Sequence, residues 1–159
     1  MTMQEQSIIH STFEIERNYR ATPERVFAAF ADPAKKRRWF VDGEHNNVEQ
    51  YEMDFRVGGK ERARFSFGEG HPLQGMELIN DGGYLDIVPN RRIVMACAMT
   101  IGGKCVSASL DTIQLLPEGD GTELILTYQG AYFEGSGGPE MREEGWRKLF
   151  ERLSGELAR

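Results

Sequence analysis

The sequence predicts an α+β domain in which a curved antiparallel sheet closes on one long C-terminal helix, with two short helices near the start. Three observations carry this reading. Period-2 alternation of apolar and polar residues recurs through most of residues 12–133. An apolar stripe at helical spacing runs from Met141 to Leu157. Between them and the first strand, two proline-led helix starts follow one another.

From Thr12 to Arg20, Phe13, Ile15 and Tyr19 alternate with Glu14, Glu16 and Arg20, as in a strand with one buried face. Thr22-Pro23 then supplies an N-cap acceptor and a first-turn proline, and the short helix that follows places Val26, Phe27 and Phe30 together. Asp32-Pro33 starts a second short helix leading to Trp39-Phe40, and Gly43 with Asn46-Asn47 ends the unit. Strands are expected next at Tyr51–Phe55, around Ala63–Phe67, at Leu73–Ile79 and at Tyr84–Val88, with a kink at Asp81-Gly82-Gly83. The final helix is expected to start near Glu140. Its stripe is Met141, Gly145, Trp146, Leu149, Phe150, Leu153 and Leu157, with Glu143–Arg147 and Glu144–Lys148 at i,i+4 on the other face.

Gly102-Gly103 is a two-residue hairpin turn between Arg92–Ile101 and Lys104–Leu116. That turn sets Ile101 opposite Lys104, Thr100 opposite Cys105 and Cys97 opposite Ala108. Cys97 then shares the inward face with Met95, Met99, Val106 and Ala108, while Cys105 lies on the other face and the two thiols stay unpaired. The parity changes by Ile113 and Leu115, so a bulge is expected between Leu110 and Ile113. PEGDG at 117–121 turns into the last strand, Thr122–Phe133.

The chain of 159 residues reads as a single domain, 1–159, with residues 1–10 a flexible terminus. Its net charge is −6, with 7 Lys+Arg against 6 Asp+Glu in residues 1–42 and 12 against 19 thereafter. No segment offers the counter-charge that nucleic acid or an anionic membrane surface needs. No apolar run approaches a membrane span, and the first residues lack the basic start and apolar core of a signal peptide. Two cysteines are too few for a disulfide framework or a structural zinc site, so a reducing cytoplasm is the expected location.

Chemistry-bearing motifs are sparse. His10, His45 and His71 have no metal-ligand spacing and read as solvated, His71 being the better placed for a pocket mouth. No metal and no cofactor is expected. Lys35–Arg38 reads as a solvated helix end with cations near its C-terminus. GEGHPLQG leads into a strand and EGSGGPE lacks the Lys-Ser/Thr of a phosphate loop, so both are turns. There is no G-x-S-x-G elbow. Asp54, Glu77, Asp86 and Asp111 lie in or beside strands, and any one facing inward would be a base with a raised pKa.

Several segments carry a resemblance in order: Trp39-Phe40, RVGGKERARF from Arg56, GGYLDIVPNRRIV from Gly82 and MTIGGKCVSASL from Met99. GTELILTYQGAYFEG from Gly121 and GWRKLFERL from Gly145 complete the set. Over roughly residues 11–158 the chain resembles the SRPBCC superfamily, whose helix-grip fold is shared by START lipid-transfer domains, birch-pollen-type allergens and polyketide cyclases. The branch it is most similar to is named after the C-terminal domain of the activator of the heat-shock ATPase chaperone. In that branch the position of Tyr128 is often glutamate, so no acid–base role carries over to the tyrosine found here.

The resemblance implies a cavity between sheet and terminal helix. It makes Trp39, Phe65, Met76, Met95, Tyr128, Trp146 and Phe150 the expected ligand-binding residues, although aromatics and methionines at these spacings serve equally as core. Gly145, unfavourable in mid-helix by about 1 kcal/mol, is expected where a strand or ligand comes close. The expected partner is a small hydrophobic molecule, with no nucleic acid and no membrane; a homodimer is an open alternative. A polyketide-cyclase-like enzyme using the same cavity is the second reading. A chaperone-partner module is the third, disfavoured because the chaperone activators carry an additional N-terminal domain for which 159 residues leave no room.

Overall fold

Pro23 and Pro33 shape the helical insertion that separates the first strand from the rest of the sheet. The computed structural model describes residues 7–43 and 46–159, so His45 lies outside the described residues. Strand β1 (Ile9–Tyr19) leads to α1 (Pro23–Ala31), where Thr22 Oγ1 accepts from Arg25 N–H. Asp32 ends α1 by donating its N–H to Ala28 O, and caps α2 (Pro33–Lys36) by accepting from Ala34 and Lys35 N–H groups. The helix then widens into a π turn (Arg37–Val41), closed by Asp42 N–H donating to Arg37 O at 2.9 Å. Trp39 there points into the core and its Nε1–H donates to Ala29 O at 2.8 Å.

Six strands follow: β2 (Asn46–Met53), β3 (Lys60–Phe67), β4 (Glu77–Val88), β5 (Arg92–Ile101), β6 (Lys104–Glu118) and β7 (Gly121–Tyr132). The long helix α3 (Gly138–Leu157) closes the chain. All pairings are antiparallel, in the order β1-β7-β6-β5-β4-β3-β2, so the first strand joins the last and the helical insertion spans from one sheet edge to the other. This is the α+β, helix-grip architecture expected: a curved open sheet with two short helices and one long one. Trp39, Phe30, Phe150, Leu153, Ile15, Leu124 and Leu126 pack between the concave face and the helices. A smaller apolar group, Val41, Ala63, Phe65 and Leu78, continues that layer toward β2.

Several local expectations are corrected. β1 begins at Ile9, so His10 is in a strand paired with Ala131 rather than in a loose terminus. Asn46 and Asn47 start β2 instead of ending the helical unit. β4 runs unbroken through Asp81-Gly82-Gly83, and its bulge lies at Leu85, between Tyr84 and Asp86. Leu73 belongs to the turn before it. Gly82 is needed for space, since a Cβ there would meet Met95 Cε at 2.7 Å. α3 starts two residues before Glu140, on Gly137 and Gly138 with φ of 81° and 87°, a left-handed backbone that glycine adopts readily.

The hairpin register is as expected for Ile101↔Lys104 and Thr100↔Cys105, then shifts between Thr100 and Met99. Val106 is the extra residue, and Cys97 pairs with Ser109 instead of Ala108. The bulge therefore sits at Val106, not between Leu110 and Ile113, and the inward face of β6 carries Ser107, Ser109, Asp111, Ile113 and Leu115. The continuous apolar alternation at Ile113 and Leu115 extends backward through polar residues, which is why hydrophobic parity missed it. Both cysteines are free, Cys97 on the inward side and Cys105 exposed.

Candidate functional site: a pocket between sheet and terminal helix

A pocket of about 480 Å³ opens between the concave face of β3–β7, the π turn and α3 from Met141 to Arg152. Its walls are mostly apolar: Phe65, Leu78, Met95, Met99, Trp146 and Leu149 among them. Gly145 lies on its helical wall, and a Cβ there would meet no heavy atom within 4 Å. The expected close approach of a strand to this glycine is absent, and the space beside it belongs to the pocket. A second concavity, about 510 Å³, lies where the β6–β7 turn meets the end of β1. Its buried polar groups are already satisfied within the fold, Tyr19 Oη donating to Phe150 O and Thr122 Oγ1 to Ala21 O. The first pocket is the one with chemistry in it.

Two polar groups of residues face that pocket. On β6, Asp111 is 5% exposed and accepts from Ser109 Oγ at 2.6 Å, with the Cys97 thiol on the same pocket wall. Burial pushes its carboxyl up from 3.8 to about 6, against the hydrogen bonds and the positive charges of Arg142 and Lys36. Burial and the Asp111 charge together raise Cys97 well above its ordinary value, so it stays a thiol and is no nucleophile. Above Asp111, Arg142 of α3 donates to Tyr128 Oη, to Ser107 Oγ at 2.9 Å and to Met99 Sδ at 3.3 Å. Its guanidinium also lies 5.7 Å from the Tyr128 ring centroid and 5.6 Å from that of Tyr132.

The second group is an ion pair. Lys36 Nζ and Glu61 Oε1 are 2.8 Å apart, with both side chains 4% exposed. Glu61 also accepts from Tyr84 Oη, and from Tyr51 Oη at 3.2 Å. Burial first, and the Glu61 charge second, raise both phenols, so they remain donors. Lys36 Nζ sits 4.6 Å from the Phe40 ring centroid. The saturation of Glu61 by three donors ties α2 to β3 beneath the pocket and leaves that carboxylate no free role. Lys36 is thus the member of the Lys35–Arg38 run that is not solvated.

Of the seven residues expected to bind ligand, Phe65, Met95, Tyr128 and Trp146 line the pocket. Trp39, Met76 and Phe150 do not. Trp39 and Phe150 are fully buried in the core layer behind it, and Met76 is exposed, against Gly102 of the hairpin turn. Tyr128 stacks on Phe13 at 4.9 Å, and Trp146 is held by Phe40, Tyr128 and Phe150. His71 is at the pocket rim, its ring stacked on Phe67 and its Nδ1 accepting from Leu73 N–H. Asp54, Glu77 and Asp86 pair with arginines near the surface, leaving Asp111 as the inward one of that set. Sequence reasoning left out Ser107, Ser109, Cys97 and Arg142 as site residues. The parity of β6 counted back from Leu115 would have found the serines, and the α3 stripe counted back four from Trp146 would have found Arg142.

Among the described residues, no three His, Cys, Asp or Glu side chains converge as a metal site, and no helix is long and apolar enough to cross a membrane. No curated protein matches the chain. Solved structures do. A protein from Rhizobium loti shares 51% identity and a TM-score of 0.84, covering 94% of this chain and 99% of its own. One from Rhizobium leguminosarum shares 34% identity and a TM-score of 0.88, covering 96% and 97%. A Chromobacterium violaceum protein, at 28% identity and a TM-score of 0.77, covers 92% and 96%. The sequence profile described as Activator of Hsp90 ATPase homolog 1-like protein matches residues 20–158, nearly the whole of the sheet and helices just described. The chain belongs to that family, and with it to the SRPBCC superfamily.

Proposed function

We propose that this protein binds a small, largely apolar molecule in the pocket between sheet and α3. One observation carries the reading: a mostly apolar pocket of about 480 Å³ into which a few polar side chains, Asp111, Ser107, Tyr128 and Arg142 among them, converge. The volume falls in the range of about 300–1,000 Å³ usual for small-molecule sites. Asp111, Ser107, Tyr128 and Arg142 would orient the ligand, and Trp146, Met95 and Phe65 would bury it. Two free cysteines agree with a reducing cytoplasm as the place where it does so. A thermal-shift screen of hydrophobic metabolites, followed by native mass spectrometry of the hits, tests the reading. A true ligand at 100-fold over its dissociation constant stabilises by about 2.7 kcal/mol, gives a 1:1 complex, and loses affinity in Trp146→Ala. A screen without a saturable hit, or hits indifferent to Trp146→Ala, would sink it.

Asp111 favours one second reading, a polyketide-cyclase-like enzyme in the same pocket. A buried carboxyl whose pKa is pushed up to about 6 is suited to exchanging protons with a bound molecule near neutrality. The two readings part on turnover: a bound hit that returns chemically unchanged after prolonged incubation supports binding alone.

A further inference from the structure

We infer that the pocket's ligand is a monocarboxylate with an apolar body, its carboxylate seated on the Arg142 guanidinium. This rests on the binding reading above and adds the ligand's chemical class.

Most arginines among the described residues are matched by carboxylates. Arg17, Arg37, Arg38, Arg56, Arg62, Arg64, Arg92, Arg147 and Arg159 each lie within ion-pair distance of a carboxylate. Lys36 and Lys148, both on the pocket lining, are also paired, with Glu61 and Glu144. Arg142 is not. Among the described residues its hydrogen-bond partners are Tyr128 Oη, Ser107 Oγ and Met99 Sδ, all neutral. Asp111 acts on it through space, while its carboxylate accepts from Ser109 and not from Arg142. A guanidinium half-buried beside an apolar pocket, hydrogen-bonded to neutral groups alone, is a cation held in position without a direct ion pair among the described residues. Nη2 is engaged twice and Nη1 once, which leaves Nε–H and one Nη1–H as donors for a carboxylate, and the partly dry surroundings strengthen such charge-assisted bonds.

The rest of the pocket sets the body of the molecule. Arg152 also lines it without a carboxylate in ion-pair range among the described residues, but its guanidinium already donates to Arg38 O at 2.8 Å. It lies ten residues along α3, hence about 15 Å from Arg142. Between them the helix offers Trp146 and Leu149, facing Phe65 and Met95 across the pocket. One anionic head and an apolar body match that layout.

Two probe pairs with matched bodies test the inference by calorimetry at pH 7.5: decanoate against decanol, and 2-naphthoate against 2-naphthol. In at least one pair the carboxylate should bind about tenfold or more tightly than its neutral partner, as a charge-assisted pair on a half-buried arginine implies. Arg142→Met should erase that preference, bringing the carboxylate's affinity down to that of its alcohol, and continued alcohol binding by the variant reports that the pocket is intact. Arg142→Lys should restore part of it. If the alcohols bind as well as the carboxylates, or if Arg142→Met weakens both alike, the carboxylate inference falls and the binding reading stands. If none of the four probes binds while other hydrophobic molecules do, the inference also falls; if nothing apolar binds at all, both fall.

Discussion

Asp111 shows how one residue's environment sets its chemistry. A carboxyl on the surface ionises near 3.8, but this one, buried against the pocket, titrates near 6. The native state therefore holds its proton more tightly than the unfolded chain does. Between pH 3.8 and 6 unfolding releases protons, so this contribution to stability is full below pH 3.8 and is lost as pH rises through 6. At about 1.4 kcal/mol per pH unit, that difference is on the order of 3 kcal/mol. Asp111→Asn, neutral at every pH and still able to accept from Ser109, should raise stability at pH 7.5 by up to about 3 kcal/mol. At pH 3.5 it should change stability little. Urea unfolding of both proteins at the two pH values checks this, and a variant less stable than the parent at pH 7.5 would contradict it.

Among the elements, α3 has two kinds of buried aromatic on one stripe. Phe150 is fully enclosed in the core layer, while Trp146, four residues earlier, has one side against Phe150 and another on the pocket. Removing a fully packed aromatic costs roughly 3–5 kcal/mol, because the surroundings relax only in part around the hole. Phe150→Ala should therefore fall in that range. Trp146→Ala should cost less than Phe150→Ala although the side chain is larger, since part of its surface already borders open space. Thermal melts of the two variants decide the order, and a larger loss for Trp146→Ala would mean that the pocket wall is really packed core.

At the scale of the whole molecule, the insertion of α1, α2 and the π turn must be held over a sheet whose strands lie far away in sequence. The Lys36–Glu61 pair does part of this, joining α2 to β3, and Arg38 with Glu156 joins the π turn to the end of α3. The buried pair is costly to break from one side. Lys36→Met should destabilise by about 3–5 kcal/mol, because it strands the Glu61 charge in a buried site. Adding Glu61→Leu should recover much of that loss, since an apolar pair of similar size often serves as well as a buried ion pair. A double mutant as unstable as the single one would show that Tyr84 and Tyr51, the other donors to Glu61, carry the linkage instead.

What the sequence determined by itself was every element whose signal is local. Proline and Asp/Thr caps set the two short helices, the 3.6-residue stripe set α3, Gly102-Gly103 set the hairpin turn, and period-2 alternation set the strands apart from the start of β2 and the continuity of β4. These follow from backbone sterics and burial of one face, which neighbouring residues are enough to express. Four of the seven expected binding residues, Phe65, Met95, Tyr128 and Trp146, reached the pocket because large apolar side chains on inward faces reach either the pocket or the core. Which of the two they reached, the tertiary structure alone decided. Trp39 and Phe150 became core through helix packing, and the bulge at Val106 turned Ser107, Ser109 and Asp111 inward against the hydrophobic parity expected for β6. Lys36 became a buried ion because a strand 25 residues away brought Glu61 beneath it. The polar half of the site depends on contacts between distant segments, and a local pattern of hydrophobicity holds no information about which carboxylate or hydroxyl a folded sheet brings to a given cation.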